Sequence, residues 1–230
     1  MHPLDNVIWQ ALTTRQANFA ESHDPARRFI REVTSLAGFL EPSERGYASL
    51  AELVGVGGTA ALFLAEAYVP HPGWILVADP RLLQMVCESD AANGAQNSKH
   101  PHIEITELGL ADSPEMIELT TLTKPGPFGP RTHELGAYLG IRVAGKLAAM
   151  AGERLKVPGF TEVSAVCTHP DHLGQGYAAA LMLEVMRGIR SRGETPFLHV
   201  REDNLRAIAL YERLGFSVRT KPHLAVLRKE

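Results

Sequence analysis

The chain has 230 residues, 45% of them hydrophobic and 21% charged, with a formal net charge of −3 at pH 7. That size and composition allow a substantial core, as one enlarged domain or two small ones. The weak negative balance gives no basic field for nucleic acid or anionic lipid, and no uninterrupted apolar run reaches membrane-spanning length.

Cys87 and Cys167 are the two cysteines. Two lone thiols point to a reducing, cytoplasmic setting in which both are small buried hydrophobes. The opening residues MHPLDNVIWQ lack the basic start and apolar run of an export signal. Leu4, Val7, Ile8, Ala11 and Leu12 recur at helical spacing and predict an amphipathic helix. After a turn near Ser22 to Pro25 come an apolar segment from Phe29 to Leu40 and a helix near Ser49 to Leu53. Two strands follow, Thr59 to Ala65 and Trp74 to Ala78, separated by Pro70-His71-Pro72-Gly73. Leu82, Leu83, Met85 and Val86 make one more short helix or strand. From Ser89 to Lys99 the large apolar residues disappear and the composition becomes that of a linker. This divides the chain into an α+β lobe over residues 1–98 and a second domain over residues 99–230.

In the second domain, His102 to Leu108 alternates as a strand, and Asp112-Ser-Pro-Glu-Met-Ile starts a helix with Ser113 near its cap. Lys124-Pro-Gly-Pro-Phe-Gly-Pro130 cannot be regular structure. Strands at Glu134 to Arg142 and Lys146 to Arg154 are joined by the hairpin candidate Val143-Ala144-Gly145. The segment Phe160 to Leu181 then carries three instructions in order: a strand to Thr168, a polar turn His169-Pro170-Asp171-His172, and a helix from about Tyr177 to Arg192 entered through Gly174 and Gly176. A helix start exposes unpaired N–H groups and a positive dipole end, so a glycine-bearing entry suits a di- or triphosphate. Phe197 to Arg201 reads as a strand, Asn204 opens a helix that Gly215 ends, and Phe216 to Leu227 reads as a final strand pair.

The loop Leu173-Gly-Gln-Gly-Tyr-Ala178 and the helix Asn204-Leu-Arg-Ala-Ile-Ala-Leu-Tyr-Glu-Arg-Leu-Gly-Phe216 together resemble the GNAT superfamily of acyl-CoA-dependent N-acyltransferases, with wording closest to the glycine N-acyltransferase-like branch. Gly176 and Ala178 match the last two anchors of the family's coenzyme loop. Asn204, Ala207, Tyr211, Gly215 and Phe216 match its helix. Leu173 stands where the family carries Arg or Gln. The resemblance covers roughly the last 130 residues. It implies an α+β fold with a mixed, strongly twisted sheet and flanking helices, preceded by a smaller α+β lobe that could be a worn half of the same fold.

The resemblance also implies acetyl-CoA as co-substrate and a small-molecule or peptide amine as acceptor, with no metal; a homodimer is left open. The pantetheine arm would pair with Val166, Cys167 and Thr168, and the pyrophosphate would lie on the backbone of Gly174, Gln175, Gly176, Tyr177, Ala178 and Ala179. The thioester would lie near Glu162, Asn204 and Tyr211, with Glu162 as general base and Tyr211 as the acid that protonates the departing thiolate. His199 and His169 are weaker base candidates, and Asn204 is equally a helix cap. Strand alternation puts Cys167 on the opposite face from Glu162 unless a bulge resets the phase, which disfavours an acyl-cysteine. His169-x-x-His172 alone is poor metal-ligand evidence. Two other readings stand beside transfer: a non-catalytic acyl-CoA-binding module, and an NAD(P)-binding oxidoreductase suggested by Gly174-x-Gly176-x-x-Ala179 with Glu202 and Asp203 after the next strand.

Overall fold

The computed structural model describes residues 2–88 and 103–230. The amphipathic opening forms α1 (Val7–Thr13), with Val7, Ile8, Ala11 and Leu12 buried. It is followed by β1 (Ala20–His23), β2 (Ala26–Phe29) and β3 (Ala37–Phe39), a small antiparallel sheet. Helix α2 (Glu44–Val54) starts at Ser43, whose side chain accepts from the Gly46 N–H, and stops at Gly55 with φ 70°. Strands β4 (Thr59–Leu64), β5 (Trp74–Ala78) and β6 (Leu82–Val86) follow. The ambiguous Leu82 segment is therefore a strand.

After the undescribed stretch come β7 (Thr106–Leu108), α3 (Ser113–Thr123), β8 (Tyr138–Val143), β9 (Lys146–Val157) and β10 (Phe160–Thr168). The chain ends with α4 (Tyr177–Ser191), β11 (Thr195–Arg201), α5 (Leu205–Arg213), β12 (Ser217–Thr220) and β13 (His223–Lys229). The β8–β9 hairpin turns at Ala144 (φ 49°) and Gly145 (φ 81°), the left-handed pair that a tight two-residue connection requires. Residues Glu134 and Leu135, expected in β8, lie instead in a short 3₁₀ turn, and β7 begins only at Thr106.

A seven-stranded sheet runs in the order β12-β6-β11-β10-β9-β8-β7, and a three-stranded one in the order β4-β13-β5. The expected strand pair within Phe216 to Leu227 does not form. Strand β12 joins β6, while β13 crosses to lie between β4 and β5. The boundary between residues 98 and 99 lies outside the described residues. On either side of it strands are shared, since β6 sits in the large sheet between β11 and β12, and β13 completes the sheet begun by β4 and β5. Among the described residues no helix is long and apolar enough to cross a membrane.

One face of the large sheet is covered by α4, whose Leu181, Met182, Val185, Met186 and Ile189 pack on Val163, Leu198 and Val200. The other is covered by α1 toward one end and α3 toward the other, over Leu155 and Phe197 and over Met150 and Cys167 respectively. Gly152 on β9 faces Tyr138 on β8, and a Cβ there would come 2.3 Å from the Tyr138 ring. The expected result of Gly152→Ala is a loss of about 1–3 kcal/mol in denaturant-measured stability from this overpacking.

Candidate active site

Strands β10 and β11 run parallel and pair only from Phe160 to Glu162 against Thr195 to Phe197. Beyond Glu162 they splay, so the backbone of Val163 to Thr168 has no partner strand on that side. A cavity of about 750 Å³ opens in the gap. The expected coenzyme residues Val166, Cys167 and Thr168 line it, as do Gly174 through Ala179, Asn204 and Tyr211.

The entry to α4 has the form its sequence suggests. Gly174 and Gly176 both have left-handed φ, 81° and 79°, values that favour glycine. The first intrahelical bond reaching back to Gly176 comes from the Ala180 N–H, and the N–H groups of Gln175 through Ala179 make no hydrogen bond among the described residues. No side chain caps this end, which leaves several donors and the dipole facing the cavity. Leu173 is exposed at the rim. Asn204 caps α5 through an acceptor bond from the Ala207 N–H at 3.2 Å. Arg206 and Arg213 of α5 also line the cavity. Neither was singled out from the sequence: each lies two positions beyond Asn204 or Tyr211, on the opposite side of the helix from that pair, so only the packing of α5 brings them to the cavity.

Tyr211 is buried against Phe216, its hydroxyl makes no hydrogen bond among the described residues, and burial, with a smaller push from Cys167, raises its phenol to about 12. Cys167 is buried too. Desolvation raises its thiol to about 11 against lesser opposing help from a Thr123 hydrogen bond and the Met150 backbone. It is a neutral thiol at physiological pH, without the thiolate character that nucleophilic catalysis needs.

The strand register explains where these side chains point. Ser164 pairs with Gly152 but Cys167 with Met150, so β10 carries one extra residue there, and Ala165 sits at φ 53°. Val163 faces the α4 side, whereas Ala165 and Cys167 pack with Met116 and Leu119 of α3. The bulge resets the alternation, so the expected opposition of Cys167 to Glu162 does not hold.

Glu162 does not line the cavity, which corrects its expected place beside the thioester. It is fully buried and held by four donors. Arg154 Nε and Nη2 donate to its two oxygens at 2.8 Å each, the Leu155 N–H donates at 3.3 Å, and His199 Nδ1 donates at 2.7 Å. Burial pushes the carboxyl up, but the Arg154 charge and hydrogen bonds, helped by His199, pull it further down, to about 2. His199 lines the cavity, with its ring 4.4 Å from Phe63. Its Nε2 accepts from Gln84 Nε2 at 3.1 Å, and Gln84 is itself fixed by the Leu4 carbonyl and Arg219. His169 is at the turn before α4, where its Nδ1 accepts from the Asp171 N–H. The bend Lys124 to Pro127, irregular as expected, forms part of the wall opposite α4.

Comparison with known proteins agrees with this geometry. A family model described as FR47-like protein matches residues 138–224, the span from β8 into β13. The [ribosomal protein bS18]-alanine N-acetyltransferase of Escherichia coli K12 is 30% identical over 122 residues, covering 50% of this chain and 82% of that protein. The N-alpha-acetyltransferase RimI of Mycobacterium tuberculosis is 38% identical over 125 residues, or 50% and 78% of the two chains. A crystal structure described as an acetyltransferase from the GNAT family, from Novosphingobium aromaticivorans, superposes over 100% of both chains with a TM-score of 0.88 and 35% identity. These relatives support the family and not the narrower glycine N-acyltransferase-like branch. The chain belongs to the GNAT family and is an N-acetyltransferase.

Proposed function

We propose that the protein moves an acetyl group from acetyl-CoA to the α-amine of a peptide-like acceptor by direct attack, with no acyl-enzyme. The observation that carries this reading is the splay itself. It sets an unpaired strand backbone, an uncapped helix start and a protonated phenol around one cavity. The pyrophosphate lies on the Gln175 to Ala179 N–H groups, and the pantetheine amides pair with β10 beyond Glu162.

The amine nitrogen bonds to the carbonyl carbon, the C–S bond breaks as Tyr211 protonates the departing thiolate, and the proton shed by the attacking nitrogen returns through water to the phenolate. Burial keeps the phenol protonated until the thiolate forms. Glu162, with all its lone pairs engaged and its carboxyl at about 2, acts by holding Arg154 and His199 and not as the base. No Asp or Glu lines the cavity among the described residues, so the acceptor arrives already neutral. An α-amine of pKa about 7.7–8.0 is roughly a quarter or more neutral at pH 7.5, whereas a lysine amine of about 10.4 is neutral to roughly one part in a thousand. This favours α-amines, the acceptor type named for the RimI relatives.

The test is release of free CoA from acetyl-CoA in the presence of peptides with free α-amines. Turnover with them and not with N-blocked peptides is the expected result, and kcat/KM rises with pH along the neutral fraction of the amine. Gly176→Val replaces a left-handed glycine at the phosphate cradle, and it is expected to weaken acetyl-CoA binding by tenfold or more, on the order of one lost charge-assisted hydrogen bond. Undiminished affinity in the folded variant places the coenzyme elsewhere. A thermal shift with NAD and none with acetyl-CoA reverses the reading altogether.

A further inference from the structure

The cavity wall away from α4 and α5 carries an arginine whose bonding is incomplete. Arg154 is buried, and Nε and Nη2 are taken by Glu162. Nη1 makes no hydrogen bond among the described residues, although the side chain lines the cavity. The bend at Gly126 lies directly beside it, where a Cβ would come 3.8 Å from Nη1. A guanidinium has five N–H donors, and Nη1 is not among the buried unpartnered atoms, so it is open to the cavity and available to an acceptor group on whatever enters. Lys124, on the same bend, lines the cavity without an ion pair among the described residues. Its backbone is left-handed at φ 51°. The basic residues on the other wall, Arg206 and Arg213, lie on α5 beside Asn204 and Tyr211, where a coenzyme's phosphates would meet them.

The charge inventory is one-sided. Glu162 is spent on Arg154 behind the wall, and among the described residues no carboxylate faces the cavity. An acceptor with a second positive charge has nothing to pair with it. An acceptor with a negative charge has Arg154 Nη1 and, nearer the mouth, Lys124. The remaining surfaces on this side, Phe63, Leu82 and Leu224, are apolar.

Resting on the transferase reading above, we infer that the acceptor is an α-amine whose body carries a carboxylate, received by Arg154 Nη1 and assisted by Lys124, with an apolar side chain against Phe63 and Leu224. Glu162 makes this possible as a positioning residue. Its two-point grip fixes the guanidinium plane so that Nη1, rather than the bidentate Nε–Nη2 edge, is presented to the ligand. Polyamines and lysine-rich peptides are excluded by the same inventory.

The experiment compares L-alanyl-L-phenylalanine with its C-terminal amide, which keeps a peptide α-amine and changes the distal charge, and with spermidine. Two readouts are used on the full chain: CoA release from acetyl-CoA, and calorimetric binding of each acceptor to protein saturated with CoA. The free dipeptide is expected to exceed the amide by about tenfold or more in kcat/KM and in affinity, roughly one charge-assisted pair, with spermidine inert. In Arg154→Gln with Glu162→Gln, which removes the pair without stranding a buried charge, KM for the dipeptide rises about tenfold, KM for acetyl-CoA holds, and the preference over the amide disappears. Lys124→Asn, at an exposed left-handed position that Asn tolerates, should show a smaller rise in the same KM and serves if the double variant does not fold. Equal or better binding of the amide or of spermidine by the unaltered protein overturns the inference. Selective dipeptide binding with no CoA release from any amine overturns the transferase reading and leaves the carboxylate site standing.

Discussion

Replacing Tyr211 with Phe is expected to lower kcat by about a hundredfold, the usual worth of one positioned proton donor, while acetyl-CoA affinity stays within about twofold. The ring still packs on Phe216 in the buried end of the cavity, so only the O–H is removed. That O–H has no other hydrogen bond among the described residues to lose. Rapid-mixing kinetics that separate coenzyme binding from CoA release check the claim. A fall in affinity as large as the fall in kcat assigns Tyr211 to coenzyme packing. Mass spectrometry of the quenched reaction is expected to find no acetyl group on Cys167, whose thiol stays protonated. A stable acyl adduct there rules out direct attack.

The second large effect is on stability. Glu162→Ala leaves the Arg154 guanidinium buried beside a void, and loss of one partner of a buried pair costs about 3–5 kcal/mol. The carboxyl lies at about 2 against an ordinary 4.5. Because the folded value is the lower one, the ionised carboxylate contributes its full stabilisation above about pH 4.5. That contribution is lost as the pH falls toward 2. A shift of roughly 2.5 units corresponds to about 3 kcal/mol over that window. Denaturant titrations from pH 7 down to pH 2 should therefore show a steep acid limb in the unaltered protein and a shallower one in Glu162→Gln. Activity separates positioning from base chemistry. In Glu162→Gln the rise of kcat/KM with pH should keep the shape set by the acceptor amine, with KM for the acceptor raised. A hundredfold fall in kcat that acceptors of lower amine pKa recover restores Glu162 to the role of base.

Much of the fold was legible because it is specified locally. The α1 stripe, the glycine entry to α4, the Asn204 cap and the Gly215 stop each depend on residues within a few positions of one another, and each has the predicted form. The cavity was legible for a related reason. The glycine-bearing helix start is written in the run from Gly174 to Ala179, and the release of the parallel neighbour was implied by the resemblance to the GNAT superfamily. Arg154 escaped notice because an arginine on a strand reads as a surface residue until the strand is known to be covered on that face.

The sequence by itself determined the strand–glycine–helix cradle and the Asn204–Tyr211 face, since periodicity, capping and left-handed glycines act through neighbouring residues, and the motifs in those two segments carried the resemblance to the family. Tertiary structure alone decided that β6 enters the large sheet, that β13 leaves for the sheet of β4 and β5, and that an extra residue at Ala165 brings Cys167 to the same face as Glu162. It also turned Glu162 inward onto Arg154. The physical reason is common to all four. Strand edges and charged side chains take whichever partner the finished packing leaves unpaired, and those partners come from segments far away in the chain or from a register that no local pattern sets.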